Sequence, residues 1–239
     1  MKVDLFGQEL LGSGYYRQQT AAEGLLFRLE LNLQAKAGRE PNSLLKVCDG
    51  RYLWTWRRLG GEESLERIDI VRVVRLLEEA GEIKLLEKQG GMSAFGGLPR
   101  LLRQLGATFW FDQFDEVRLN DQMAAWRIGG RWRDGSPADG SADAADEPPE
   151  NRSSRPRDLS GHLPGAVVLF FGQEDLFPHR IEFRRPTTEA GQGGEPIVAV
   201  ELFEVNLNVP INPTRFVYKP GDLDAADRTD DFLKNLGLE

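Results

Sequence analysis

Two histidines, one cysteine and a Gly12-Ser13-Gly14 step are the residues of this 239-residue chain whose types first suggest chemistry. A bound metal needs ligands at close, regular spacing. Neither His162 nor His179 has a second ligand at such spacing, and Cys48 stands alone. Ser13 lacks the Gly-x-Ser-x-Gly frame of a nucleophile elbow, and its two glycines fit a strand that must bend. Gly90-Gly91 and Gly96-Gly97 are not followed by the Lys-Ser/Thr of a phosphate loop. Acidic residues are plentiful, but chain order selects no pair as general acid and base. The expectation is a protein without catalysis, cofactor or metal.

The formal net charge of -8 narrows the partners. Nucleic-acid phosphates must be met by Lys and Arg, so no nucleic-acid partner is expected, and the charge gives no help toward an anionic membrane surface. A lone cysteine excludes an internal disulfide. Cys48, inside Leu-Leu-Lys-Val-Cys-Asp-Gly, reads as a packed thiol. No apolar run is long enough to span a bilayer as a helix. Met1-Lys2-Val3-Asp4-Leu5 is not a signal peptide and enters strand-like sequence at once. The expected location is cytoplasmic if the chain is complete as given, and periplasmic or otherwise extracytoplasmic if an upstream leader has been left out.

The elements that would position any site are mostly strands. Gln8 to Gln19 reads as a bent strand. From Gly24 to Gln34, Phe27, Leu29, Leu31 and Leu33 alternate with Arg28, Glu30 and Asn32, giving one apolar and one polar face. Leu44–Val47 and Arg51–Arg57 flank Asp49-Gly50, a strong hairpin signal. Leu65–Asp69 follows as a short strand. The period then changes: Ile70, Val73, Val74, Leu77 and Ala80 recur at helical spacing. Gly81 breaks that helix before 83–88, and a short helix over 98–105 has Pro99 in its first turn. Further strands are predicted at 108–114, 123–132, 166–171, 179–185, 197–209 and 216–218, with a last helix at 231–236 capped by Asp230. Residues 133–161 hold Pro, Gly, Ser, Ala and Asp with almost no large apolar side chains, a composition that cannot offset its ordering entropy. They read as a flexible polar insertion in a single domain spanning 1–239. The expected fold is mainly β with α: one highly curved antiparallel sheet of about nine to eleven strands, with helices on one side.

Aromatic residues are spread along these strands, among them Phe27, Trp54, Trp56, Phe109, Phe170 and Phe203. They fit either an ordinary core or the wall of a gap between sheet and helices that takes an apolar ligand; alternation alone does not separate the two.

Three stretches carry a resemblance to the LolA-like family of outer-membrane lipoprotein carriers. Val47-Cys48-Asp49-Gly50-Arg51-Tyr52-Leu53-Trp54 is similar to the family's strand-Asp-Gly-strand with Leu-Trp. Gly97-Leu98-Pro99-Arg100-Leu101-Leu102 is similar to its short helix after the hairpin. Leu202 to Ile211, then Phe216-Val217-Tyr218-Lys219-Pro220-Gly221-Asp222, resembles its closing strand, Asn-x-Pro-Ile turn and Pro-x-Gly ending. The resemblance runs from about Leu10 to Asp222. It implies an unclosed β-barrel with short helices as a lid over a hydrophobic cavity, and a periplasmic carrier that takes lipoprotein acyl chains or another lipid between membrane-bound donor and acceptor proteins. The alternative it allows is a lipoprotein-sensing or protein-interaction module on the same scaffold. Two departures stand out: relatives begin with a signal and a helix ahead of the first strand, and the 133–161 insertion is longer than simple carriers have. The family's lid-contacting arginine is not assigned to Arg17 or Arg28, which both lie near its region. The expected acyl-chain lining is Phe27, Leu29, Leu31, Leu33, Trp54 and Trp56, with Val74, Leu77, Leu101 and Leu105 as lid contacts.

Overall fold

The computed structural model describes residues 2–5, 8–21, 24–34, 41–88, 95–120, 122–133, 164–186 and 194–238. The insertion read at 133–161 lies outside them apart from Arg133. Among the described residues the chain is mainly β, with few helices, and forms two compact units where the sequence reads as one domain: 1–10 with 105–206, and 11–104 with 207–239. Within each unit the strands are hydrogen-bonded side by side in an unclosed order. Alternation reports which face of a strand is buried. It does not report which strands are neighbours, so continuity of a sheet is not legible from it.

The 11–104/207–239 unit holds most of β2 (Gln8–Ala21), β3 (Gly24–Gln34), β4 (Asn42–Cys48), β5 (Tyr52–Leu59), β6 (Glu62–Asp69) and the two-residue β12 (Ala226–Asp227). Their order is β12-β6-β5-β4-β3-β2. All pairs are antiparallel except β12 with β6, which is parallel.

The Asp-Gly signal is realised through the aspartate. Asp49 Oδ1 accepts from the Arg51 and Tyr52 N–H groups at 2.9 and 2.7 Å, and Gly50 takes φ 91°. The bend pairs Cys48 with Leu53 and Val47 with Trp54.

Helix α1 (Ile70–Glu79) follows β6 directly. Asp69 Oδ1 caps it by accepting from the Arg72 N–H at 2.9 Å, satisfying a donor the helix leaves open. Its 3.6-residue stripe of Ile70, Val73 and Leu77 is buried. Gly81 at φ 69° ends it before α2 (Ile83–Lys88). Helix α4 (Thr229–Asn235) adds Leu233, and Leu236 follows it. Its N-cap position is Arg228 rather than Asp230, with no side-chain cap. Thr229 Oγ1 instead accepts from the Asp69 N–H at 2.9 Å, tying α4 to the start of α1. Leu25, Phe27, Cys48 and Leu53 from the sheet meet Ile70, Val73, Leu77, Phe95, Leu233 and Leu236 in one core.

The expected last strand at 216–218 is not one. Asn212 caps a short 3-10 turn, Pro213–Phe216, and the chain continues extended. Phe216 is buried, and the Tyr218 ring lies 5.5 Å from that of Trp54.

The 1–10/105–206 unit has the order β1-β11-β10-β9-β8-β7: β1 (Lys2–Leu5), β7 (Phe109–Leu119), β8 (Met123–Trp132), β9 (Ala166–Gly172), β10 (Pro178–Arg184) and β11 (Pro196–Glu201). Helix α3 (Gly97–Thr108) leads into β7 and its residues divide between the two units. In this unit Leu119, Ala125, Val168 and Phe170 form a core. The strand expected over 197–209 stops at Glu201. Beyond it, Glu204 and Asn208 take φ 54° and 58°, which breaks the extended repeat.

Candidate functional site

The even spacing of β3 sends Leu25, Phe27, Leu29, Leu31 and Leu33 to one face and Leu26, Arg28, Glu30 and Asn32 to the other. Cross-strand pairing then decides which residues of β4 and β5 share each face. Phe27 pairs with Cys48 and Cys48 with Leu53; Leu31 pairs with Leu44; Leu29 pairs with Lys46 and Lys46 with Thr55. Arg28 pairs with Val47, and Val47 with Trp54. Trp54 and Trp56 therefore lie on the face opposite Phe27, Leu29, Leu31 and Leu33.

The expected lining is accordingly split. Phe27 and Leu77 sit fully inside the helix-covered core, with Val74 packed at its side. Leu29, Leu31 and Leu33 are half-buried on the same sheet face, outside that core cluster. Trp54 and Trp56 pack on the far face with Val47, Leu65, Tyr52 and Tyr218. Leu101 is half-buried on α3. Leu105, buried, belongs to the other unit. What remains as an apolar surface is the row Leu29, Leu31, Leu33 with Leu44 beside it. Two glycines border it: Gly14 pairs with Leu31 and Gly12 with Leu33. The Leu33 side chain leans over Gly12, where a Cβ would come within 2.5 Å of Leu33 Cδ2.

One end of this row is cationic, which chain order did not single out. Lys46 lies between Leu29 and Thr55. Burial holds its ammonium below the ordinary lysine range; Arg57 and Arg100 add to the effect and Glu66 opposes it. Arg57 pairs with Glu66 at 2.6 Å. Because the unfolded chain holds the Lys46 proton more tightly than the folded one, stability rises with pH between the depressed value and the ordinary one. Lys46→Met is expected to raise stability at pH 7 by about 1 kcal/mol and to flatten that alkaline rise. Urea unfolding across pH 7 to 10 measures both; an equal or lower midpoint at pH 7 contradicts it.

Two other titratable groups are structural. Cys48 Sγ donates to the Leu25 carbonyl at 3.0 Å, and burial raises its thiol to about 11. Tyr16 accepts from the Leu98 N–H at 2.7 Å and donates to Gln18, fixing the start of α3; burial raises its phenol to about 12. In the other unit His179 shares a 2.8 Å bond with Asp175 Oδ2. Burial of Asp175 is outweighed by hydrogen bonds from the Phe177 N–H and His179, and its carboxyl stays below the usual range. His162 lies outside the described residues, among which no three His, Cys, Asp or Glu side chains come together as a metal site.

Sequence reasoning also missed a polar cleft of about 330 Å³ on the Trp54 face, lined by Tyr15, Arg17, Arg28, Glu30, Thr214 and Arg215. Its signal was present in the odd/even split of β2 and β3, but Arg215 is distant in sequence. Among the described residues no helix is long and apolar enough to cross a membrane.

No protein-family model matches the chain, and no curated sequence matches it significantly.

Proposed function

We propose that this protein is a carrier that shelters a lipid-like acyl group, such as the acyl chain of a lipoprotein, without acting on it chemically. The reading rests on one observation: Leu29, Leu31, Leu33 and Leu44 line one sheet face in register and are only half-buried, outside the helix-covered core. The resemblance to lipoprotein carriers points the same way. An acyl chain gains about 0.8 kcal/mol per methylene removed from water, so eight methylenes give roughly 6 kcal/mol before the cost of association. Such a strip needs no directional hydrogen bonds, and release follows from a partner with higher affinity. The same proposal places the protein in an unclosed-barrel, lipoprotein-sorting class, with membrane-bound donor and acceptor proteins in an extracytoplasmic compartment.

Native mass spectrometry of the full chain after extraction from membranes, with titration of a fluorescent acyl probe, tests it. Co-purified lipid and saturable probe binding are expected. Leu31→Glu puts a carboxylate in the middle of the row and is expected to weaken probe binding at least tenfold with the fold retained. Wild-type protein that neither carries lipid nor binds probe rules the carrier out. Unchanged affinity in the folded variant moves the site off this row.

A further inference from the structure

We infer that the polar cleft on the opposite sheet face binds a phosphate monoester, through Arg17, Arg28 and Arg215. Three features converge there. First, Arg17 of β2 and Arg28 of β3 are directly paired cross-strand neighbours. Like charges set directly opposite one another destabilise a sheet, so this pair is held at a cost that an anion between them would relieve. Second, the chain after residue 207 returns over this face and contributes Arg215. The Ile211 N–H donates to Gln19 Oε1 at 3.2 Å, and Asn212 Oδ1 accepts from the Thr214 N–H at 3.0 Å, which fixes the turn that presents Arg215. Third, the carboxylates do not balance the charge. Glu30 is engaged by Arg28. Among the described residues Arg17 contacts only the Tyr15 ring, 5.3 Å from its centroid, and Arg215 has no ion-pair partner.

Three guanidinium groups and one carboxylate leave two positive charges in the cleft of a chain whose net charge is -8. A phosphate monoester carries about -1.5 to -2 at neutral pH and presents three acceptor oxygens. Guanidinium forks match that geometry in paired hydrogen bonds. A single carboxylate would leave half the charge unmatched. The cleft of about 330 Å³ also has room for an organic group beyond the phosphate, against the exposed Tyr15 ring. The phosphate could be carried by a soluble molecule or by a lipid headgroup; the chemistry at the arginines is the same. The cleft lies on the other face of the sheet from the apolar row, so it stands apart from the acyl-binding reading.

Calorimetric titration of the full chain with phenyl phosphate, and sedimentation with phosphatidylcholine vesicles with and without phosphatidic acid, test the inference. Saturable binding that weakens with added salt is expected with at least one of the two phosphate sources. Phenyl phosphate alone identifies a soluble ligand, and phosphatidic acid vesicles alone identify a headgroup. Arg17→Gln and Arg215→Gln are each expected to lower affinity at least fivefold. Glu30→Gln, which frees Arg28, is expected to raise it. Arg17→Gln removes one of two opposed charges and is expected to leave the melting temperature unchanged or higher. Binding of neither source by the wild type overturns the inference, as does binding by the two arginine variants equal to that of the parent.

Discussion

Phe27→Ala lowers the free energy of unfolding by about 3–5 kcal/mol, the loss expected when a filled aromatic site is emptied. Phe27 is 1% exposed, among Leu25, Cys48, Leu53, Ile70, Val73, Leu77 and Phe95. It also presses on the chain beside Phe95: a Cβ on Gly96 would lie 2.7 Å from Phe27 Cζ. These neighbours come from sheet, helix and loop, so they cannot all collapse into the void at once. Phe27→Leu keeps most of the volume and is expected to cost under about 1.5 kcal/mol. Urea denaturation of both variants gives the numbers. A loss below about 1 kcal/mol for alanine would mean that Phe27 borders open space, and would return it to the lining of a ligand cavity.

The second large effect is expected at Glu182 on β10. Its carboxylate is 2% exposed and is held from both sides: Arg180 Nε donates to Oε1 and Arg184 Nε to Oε2, each at 2.7 Å. Arg180 also lies over the Phe170 ring at 5.8 Å. Glu182→Ala removes the anion that two partly buried guanidinium groups share, while Arg180 keeps its longer contact to Glu201 at 3.9 Å, and the loss is expected to cost about 3 kcal/mol. Glu182→Gln keeps the shape and one acceptor oxygen, and is expected to cost roughly half as much. Hydrogen exchange over β9 and β10 reports the change locally. Equal protection in the alanine variant would show that the two arginines find water or other acceptors without loss.

How far the sequence carries toward this structure depends on how local each feature is. The alternation of Phe27, Leu29, Leu31 and Leu33, the Asp49-Gly50 bend and the stripe of Ile70, Val73 and Leu77 are set by neighbours a few residues away, and each element forms where its pattern predicts. The grouping of Trp54 and Trp56 with Phe27 failed for a different reason. Which face the tryptophans occupy depends on two successive registers, β3 with β4 and β4 with β5. The second is set by a recognisable bend. The first spans residues 35–41, whose sequence Ala-Lys-Ala-Gly-Arg-Glu-Pro holds no Asp-Gly or Asn-Gly signal. The strand expected through Val205, Leu207 and Val209 failed because alternation does not report backbone: Glu204 and Asn208 leave the extended region, no partner strand lies beside the segment among the described residues, and Pro210 lacks a donor N–H. The arginine cleft was illegible because Arg17 and Arg215 come together only through the return of the chain.

That return has a consequence for how the protein is made. The core around Phe27 takes Leu233 and Leu236 from residues synthesised about two hundred positions after β2, and Asp69 waits for Thr229 to satisfy its N–H. On a ribosome adding about 5–20 residues per second, the β2–β6 strands emerge at least several seconds before the segment that seals them. During that interval the edge of β6 and the apolar groove that later receives α4 stand open. A chain stalled before residue 207 would expose both at once, and so would present a newly made sheet edge and core to whatever chaperones or sister chains are nearby.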